Sequence, residues 1–480
     1  MSSNVVNVEV AILGAGSAGL SAWRVARKQG ASVALIDPGP FGTTCARVGC
    51  MPSKLLIAAA DAAHHARQVS EFGIHSEGVR VDGREVLERV QAERDRFVGF
   101  VMEVIEEARA AGELIVGRAK VLAPGRLSVA DGTEVHFERL VVATGTAPFV
   151  PPPFRGLEHA LLSNETVFDL DRLPSSVLVV GLGAIGLELG QSLHRLDVRT
   201  TLVGILGQLG PLTDPVILAQ AHETLGEELD IHSDYRLESI APDEEGVRVK
   251  FVDSQGRQRE DTYEKILMAA GRRPNHDEIG IRSLGIAADE VGRYPIDPDT
   301  LQLGDLPVFV AGDVNELHPV LHEAADDGRI AGGNAAHYPE VHAAWRRTPL
   351  GIAFSDPQIA VVGGGYAALS DCEAVAGEVS FANQGRARVH AVNAGKVRIY
   401  ADKHSGRLLG AELFGPKAEH LAHLLSWAVQ SKMTVEQALG MPFYHPVFEE
   451  GLRTALRDLD ANLRHGEPIK CVVTEMGVGS

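Results

Sequence analysis

Cys45 and Cys50 are the residues of this 480-residue chain best placed to do chemistry together. They stand five positions apart in Gly42-Thr43-Thr44-Cys45-Ala46-Arg47-Val48-Gly49-Cys50-Met51-Pro52-Ser53-Lys54. In a regular helix that spacing holds the Cα atoms roughly 8–9 Å apart, whereas a disulfide needs about 7 Å or less. If the two are bonded, the stretch is not a regular helix. Gly49 permits the distortion, and Pro52 favours a helix that starts just after Cys50. Cys50 then lies near a helix N-terminus, where a thiolate is stabilised. A strained, accessible disulfide beside an electron carrier is suited to relaying two electrons. A zinc site would need a second Cys or His pair at ligand spacing, and none lies nearby, so no metal is expected. Cys372 and Cys471 are isolated and read as structural or incidental.

Two glycine clusters could hold phosphates. Val8–Leu13 is an apolar run followed at once by Gly14-Ala15-Gly16-Ser17-Ala18-Gly19, a helical stretch from about Ala18 to Lys28, and a second apolar run, Ala31–Ile36, that ends at Asp37. Strand, glycine turn, helix, strand and acid is the order of a dinucleotide site. Gly14 allows the tight turn, Gly16 lets the backbone approach a pyrophosphate, and Gly19 lets the helix pack on the strand. The helix N-terminus offers free N–H groups to the phosphates, and Asp37 stands where a carboxylate accepts from a ribose diol. The order recurs at Ser176–Val180, Gly181-Leu182-Gly183-Ala184-Ile185-Gly186, Leu187–Leu196 and Arg199–Val203. Two such sites imply two dinucleotides, ordinarily a flavin and a nicotinamide. The second strand runs into Gly204 instead of an acid, yet no Lys or Arg lies between Val203 and Leu212 to meet a 2′-phosphate. NAD is therefore expected ahead of NADP. Gly363-Gly364-Gly365 has no closing acid and reads as a loop between a strand and a short helix.

These elements need a large scaffold, and the chain supplies one. At roughly 100–200 residues per domain, its length suggests about three or four domains. Hydrophobic residues make up 45% of it, enough for a sizeable core. Lys and Arg number 45 against 64 Asp and Glu, a net charge of −19 that would repel nucleic acid. No apolar run of about 18 residues indicates a membrane span. Val5 to Leu20 is apolar enough to resemble an export signal, but it lacks a basic lead-in and its glycines belong to the first turn. The expectation is a cytoplasmic protein with no membrane or nucleic-acid partner.

The cysteine and glycine motifs closely resemble the dihydrolipoamide dehydrogenase branch of the pyridine nucleotide-disulfide oxidoreductases, from about Val8 to about Arg464. The resemblance implies an α/β fold with two Rossmann-like dinucleotide-binding domains, for FAD and NAD, and a C-terminal α+β dimerisation domain. It implies an FAD domain over 1–150, an NAD domain over 151–275, a central domain over 276–345 that completes the FAD site, an interface domain over 346–466 and a tail over 467–480. It adds Thr44, Ala143-Thr144-Gly145 and Ala311-Gly312-Asp313 to the FAD site, with Asp313 on the ribityl chain. Lys54 would sit beside the flavin's reactive edge, paired with Glu188, where a cation stabilises the reduced, anionic ring. Gly271 opens the return from the nicotinamide domain.

Phe443-Tyr444-His445-Pro446-Val447-Phe448-Glu449-Glu450 is similar to the family's His-Pro-x-x-x-Glu motif. His445 would be the acid/base and Glu450 its orienting carboxylate, with Glu449 a rival about 100° round the helix. In the family this dyad faces the cysteines of the other subunit of a homodimer. The resemblance implies oxidation of a small or protein-bound dithiol, lipoamide first, with a 2-oxo acid dehydrogenase complex as partner. Glutathione reductase, mercuric reductase, transhydrogenase and a non-enzymatic NADH-responsive flavoprotein are the alternatives. The intact cysteine pair argues against the last two, and no C-terminal cysteine pair supports the mercuric one. Four positions depart from the family pattern: Thr43 for glycine, Arg47 for asparagine, Val447 for threonine and Gly204 for an acid. Arg47 and Val447 lie near the expected substrate site.

Overall fold

The computed structural model describes residues 4–75, 77–370 and 372–465; the expected tail and Cys471 lie outside them. The chain forms two compact units, one from 4–52, 90–148 and 272–346, the other from 53–89, 149–271 and 347–465.

The first unit is built on a seven-stranded sheet. Its central strand β1 (Val5–Leu13) runs parallel to β2 (Val33–Asp37) on one side and to Glu134–Val142 on the other. Val308–Val310 joins parallel to Glu134–Val142. The unbroken run Val10-Ala11-Ile12-Leu13 is buried throughout, as a parallel strand covered on both faces must be. Helix α1 (Ser17–Lys28) buries Ala18, Leu20, Ala22, Trp23 and Ala26 and carries Arg27 and Lys28 in its last turn, where they complement the helix dipole. The helix Leu321–His337 packs along α1 so closely that a Cβ on Gly328 would stand 2.1 Å from the Ala18 carbonyl oxygen.

The second unit repeats the theme. Strands Asp230–His232, Arg199–Val203, Ser176–Val180, Lys265–Met268 and Leu161–Leu162 form a parallel sheet in that order. An antiparallel meander, Arg236–Asp243, Gly246–Val252 and Gln258–Tyr263, follows. The C-terminal part is a five-stranded antiparallel sheet, with the helix Glu450–His465 burying Leu452, Ala455, Leu456 and Leu459. The expected α/β class, two Rossmann-like sheets and an α+β C-terminal part, is what the chain adopts. Gly363–Gly365 is a turn between Gln358–Val362 and a short 3-10 helix at Ala367–Leu369. Among the described residues no helix is long and apolar enough to cross a membrane.

Candidate active site

The first glycine turn sits where β1 hands over to α1. Gly14 has φ +102°, and a Cβ on Gly19 would lie 1.8 Å from the Gly14 carbonyl oxygen, so only glycine lets helix and turn touch. Gly16 caps α1 with no side-chain bond to the helix N–H groups, and nothing lies within 4 Å of where its Cβ would point. Open space at a helix N-terminus with no side-chain cap is what a pyrophosphate requires, and the turn fits one. Asp37 closes β2 and takes the Ala15 N–H at 2.7 Å and the Gly39 N–H at 2.6 Å. Those two bonds hold the turn and leave lone pairs for a ribose diol.

Thr144 and Gly145 follow the strand Glu134–Val142 and interlock with Asn275. The Thr144 hydroxyl donates to the Asn275 carbonyl at 3.1 Å, and the Asn275 amide donates to the Thr144 carbonyl at 3.0 Å. Gly312, two residues past Val308–Val310, has φ +77°, its N–H on Asp327 at 3.1 Å; a Cβ there would meet that of Ala18 at 2.9 Å. Burial pushes the neighbouring Asp313 carboxyl up, with Arg272 opposing. A desolvated carboxylate at the foot of the sheet is suited to accept from a polyol chain.

The cysteine turn is not a regular helix. Helix α2 (Thr44–Val48) carries Cys45; Gly49, at φ −131° and ψ −114°, breaks it; and α3 (Cys50–Gln68) begins at the second cysteine. The chain folds back so sharply that a Cβ on Gly49 would stand 2.9 Å from the Thr44 carbonyl oxygen and 3.4 Å from the Cys45 Cα. Cys45 is half-buried and Cys50 exposed. Cys50 heads its helix at the surface.

Four positions further along α3, Lys54 meets Glu188 at 2.7 Å. Glu188 is buried, and its other oxygen accepts the Phe354 N–H at 2.9 Å. The Lys54 ammonium also lies 4.4 Å from the centre of the Phe354 ring. Phe354 escaped the sequence reading because nothing local marks a residue that works through its ring face and backbone N–H. The same is true of Arg195, nearly fully buried, which binds Asp61 at 2.8 Å, Glu228 at 2.6 Å and Asp356 at 3.1 Å. These contacts tie α3 to the strand-turn-helix unit that carries Glu188.

The second glycine turn mirrors the first. Gly181 has φ +111°, a Cβ on Gly186 would lie 1.9 Å from the Gly181 carbonyl oxygen, and Gly183 faces open space at an uncapped helix N-terminus. Gly271, at φ +105°, ties back by accepting the Phe149 N–H at 3.0 Å. At Gly204 the structure adds what the sequence hides: a Cβ there would run into the Leu182 side chain, 2.7 Å from Cδ1. The Gly204 carbonyl accepts from Tyr235, and the Gly210 N–H donates to the Leu182 carbonyl, so the segment after the strand is stitched to the turn.

His445 and Glu450 meet at the start of the last helix. The imidazole Nδ1 lies 3.0 Å from one Glu450 oxygen and 3.2 Å from the other. That bond holds the Glu450 carboxyl below its ordinary value, helped by the Val447 N–H and Arg453. With Nδ1 engaged, Nε2 is the nitrogen open to solvent, on a side chain 80% exposed.

Residues 8–328 match the family model described as pyridine nucleotide-disulphide oxidoreductase, and 350–456 match that family's dimerisation domain. The chain is 31% identical over 461 residues to a dihydrolipoyl dehydrogenase of Halobacterium salinarum, covering 93% of this chain and 95% of that one. It is 30% identical over 443 residues to a mercuric reductase of Streptomyces lividans, covering 89% and 91%. The crystal structure of LpdA from Mycobacterium tuberculosis superposes with a TM-score of 0.79 at 25% identity, covering 94% of this chain and 99% of that one.

Proposed function

The chain belongs to the pyridine nucleotide-disulphide oxidoreductases, and from that premise we propose that it oxidises dihydrolipoamide to lipoamide with NAD⁺ as acceptor. The observation that carries the reading is a complete set of relay parts, a cysteine turn broken at Gly49 and a His445–Glu450 dyad, in a chain similar over its length to dihydrolipoyl dehydrogenases. Gly14, Gly16, Gly19, Asp37, Thr44, Lys54, Thr144, Gly145, Gly312 and Asp313 would hold FAD, which would supply two-electron transfer between the cysteine pair and the nicotinamide. Gly181, Gly183, Gly186, Glu188 and Gly271 shape the nicotinamide dinucleotide site.

The chain's own groups then divide the work. His445 Nε2 takes a proton from one substrate thiol, and Glu450 steadies the resulting imidazolium. The substrate thiolate attacks the Cys45 sulfur; the Cys45–Cys50 bond breaks and Cys50 leaves as a thiolate. The second substrate thiol closes on the first sulfur and its proton passes to Cys45, which is released as a thiol. The substrate loses two electrons and two protons, and the cysteine pair gains the electrons. Cys50, at the head of its helix, would be the sulfur that serves the FAD, and Cys45 the one that meets the substrate. Glu188 orients Lys54, whose cation would favour negative charge at the flavin edge.

The same proposal includes a homodimer in which the dyad serves Cys45 of a second copy. The dimerisation-domain match supports it, as do Tyr444 (80% exposed) and Trp427 (66% exposed), large apolar surfaces in the part of the chain that carries His445. A cytoplasmic location, a 2-oxo acid dehydrogenase complex as partner and the domain limits near 150, 275 and 345 belong to it too. The mercuric relative keeps one other reading open, reduction of Hg(II), although no second cysteine lies near Cys471. The test is NAD⁺ reduction by dihydrolipoamide, with NADP⁺ in parallel and Hg(II)-dependent NADH oxidation as the rival arm. A kcat/KM of about 10⁴ M⁻¹s⁻¹ or more with dihydrolipoamide is expected. No turnover by protein that holds FAD and accepts electrons from NADH would overturn lipoamide as substrate.

A further inference from the structure

Two of the departures from the family pattern meet in one turn. Thr43 has φ 61° and ψ 154°, immediately before α2. That region of backbone space is essentially reserved for glycine, because Cβ crowds the neighbouring peptides. The turn contains its own countermeasures. The Thr43 hydroxyl accepts the Ala46 N–H at 3.2 Å, and its carbonyl accepts the Arg47 N–H at 3.1 Å. The Arg47 guanidinium then bends back, with Nε and Nη2 donating to the Phe41 carbonyl at 2.9 Å and 2.7 Å. Gly42 is caught between: a Cβ there would lie 2.8 Å from Val98 Cγ1 and 3.3 Å from Arg47 Nε. Arg47 thus binds the carbonyls on either side of Gly42, with Val98 close to Gly42 itself.

We propose that Arg47 is a positioning residue for the cysteine pair: its fork on the Phe41 carbonyl keeps Thr43 in a glycine-type conformation and so fixes the turn that presents Cys45 to Cys50. The inference rests on the reading of Cys45 and Cys50 as the redox pair. Released from the fork, Thr43 relaxes towards negative φ, and a dihedral change two residues before Cys45 swings α2. Only a planar guanidinium places two donors on one carbonyl in this way; the lysine ammonium is a single flexible point charge. A glycine at 43 would have no strain to restrain and no need of the clamp. The two substitutions are therefore one device, and the Arg47 guanidinium is committed to the protein and not to a substrate.

The experiment compares Arg47→Asn, Thr43→Gly, the double variant, Arg47→Lys and Cys50→Ser in the FAD-loaded full chain. Readouts are flavin content, thiol–disulfide turnover, the position of the cysteine-pair equilibrium against dithiothreitol, and the long-wavelength thiolate–flavin absorbance after two-electron reduction. Arg47→Asn is expected to lower turnover by about tenfold or more, since a displacement near 1 Å has effects of that order. It should also move the dithiol equilibrium and weaken the absorbance. Adding Thr43→Gly should bring all three readouts most of the way back. A double variant as impaired as Arg47→Asn would overturn the coupling and assign Arg47 a purely electrostatic role. Wild-type turnover and equilibrium in Arg47→Asn would overturn it outright. If Arg47→Asn fails to fold, Arg47→Lys decides: partial loss with FAD retained supports the clamp, and full function refutes it. Persistence of turnover and absorbance in Cys50→Ser would instead bring down the underlying reading of the pair.

Discussion

Replacing Gly204 with Glu would put a carboxylate at the end of the strand Arg199–Val203, where an acid meets the adenosine ribose in NAD sites of this kind. The structure says that the single change is obstructed. A Cβ at 204 would stand 2.7 Å from Leu182 Cδ1 and 2.8 Å from its Cγ, and Leu182 is buried. Cγ is not the free end of the side chain, so Leu182 must change rotamer or the strand end must shift. Overpacking of this kind costs about 1–3 kcal/mol. Gly204→Glu alone should lose stability of that order and gain little coenzyme discrimination, because the displaced carboxylate misses the diol. Adding Leu182→Ala clears the space. A bond from a ribose hydroxyl to a carboxylate contributes about 1.5–3 kcal/mol, which corresponds to a rise of roughly 10- to 150-fold in the NADH:NADPH ratio of kcat/KM. The assay is steady-state oxidation of each coenzyme with lipoamide, alongside urea unfolding. Full discrimination in the single variant without loss of stability would show that Leu182 is no obstacle. An unchanged ratio in the double variant would show that this strand end does not face the ribose.

Glu188→Ala removes the 2.7 Å partner of Lys54 and strips the Phe354 N–H of its acceptor. A loss of about 2 kcal/mol in urea unfolding is expected, mostly from the unsatisfied donor because Lys54 is 34% exposed and can rehydrate; a loss under about 0.5 kcal/mol would refute the account. The Asp313 carboxyl is raised by burial, so in FAD-free protein it destabilises the fold above its native pKa and ceases to do so as pH falls below the ordinary value of about 3.9. Asp313→Asn should therefore stabilise the apoprotein near neutral pH, with the gain fading towards acid, while it weakens FAD binding; a gain that grows on acidification would reverse the sign and the argument. His445→Gln should lower thiol–disulfide turnover by about 10²–10⁴-fold and spare direct reduction of the flavin by NADH, and equal loss of both would remove His445 from its assigned step.

Much of the fold is legible in the chain because it is local. An apolar strand, a glycine turn and an uncapped helix lie consecutively in sequence, so both dinucleotide turns and their handover from strand to helix follow from spacing alone. β1 begins at Val5, three residues before the apolar run suggested, because Asn7 and Glu9 face outward on a strand still paired with Glu134–Val142. The break between the cysteines was equally readable, since covalent geometry excludes a regular helix across a bonded pair at that spacing. The His445–Glu450 pair came from the resemblance of its segment to the family's His-Pro-x-x-x-Glu motif, and the structure brings the two side chains together.

What the tertiary structure alone decided involves partners distant in sequence or backbone states that no residue type announces. Phe354 acts on a pair formed by Lys54 and Glu188, 134 residues apart. Gly204 looked like a missing acid; it is the space that Leu182 occupies. Thr43 and Arg47 looked like two separate departures; a positive φ and a guanidinium bent onto Phe41 join them. The division has one physical cause. Backbone turns, caps and helix breaks are governed by neighbours along the chain, whereas the positions of side-chain charges and the volumes left for them are settled only when distant segments pack.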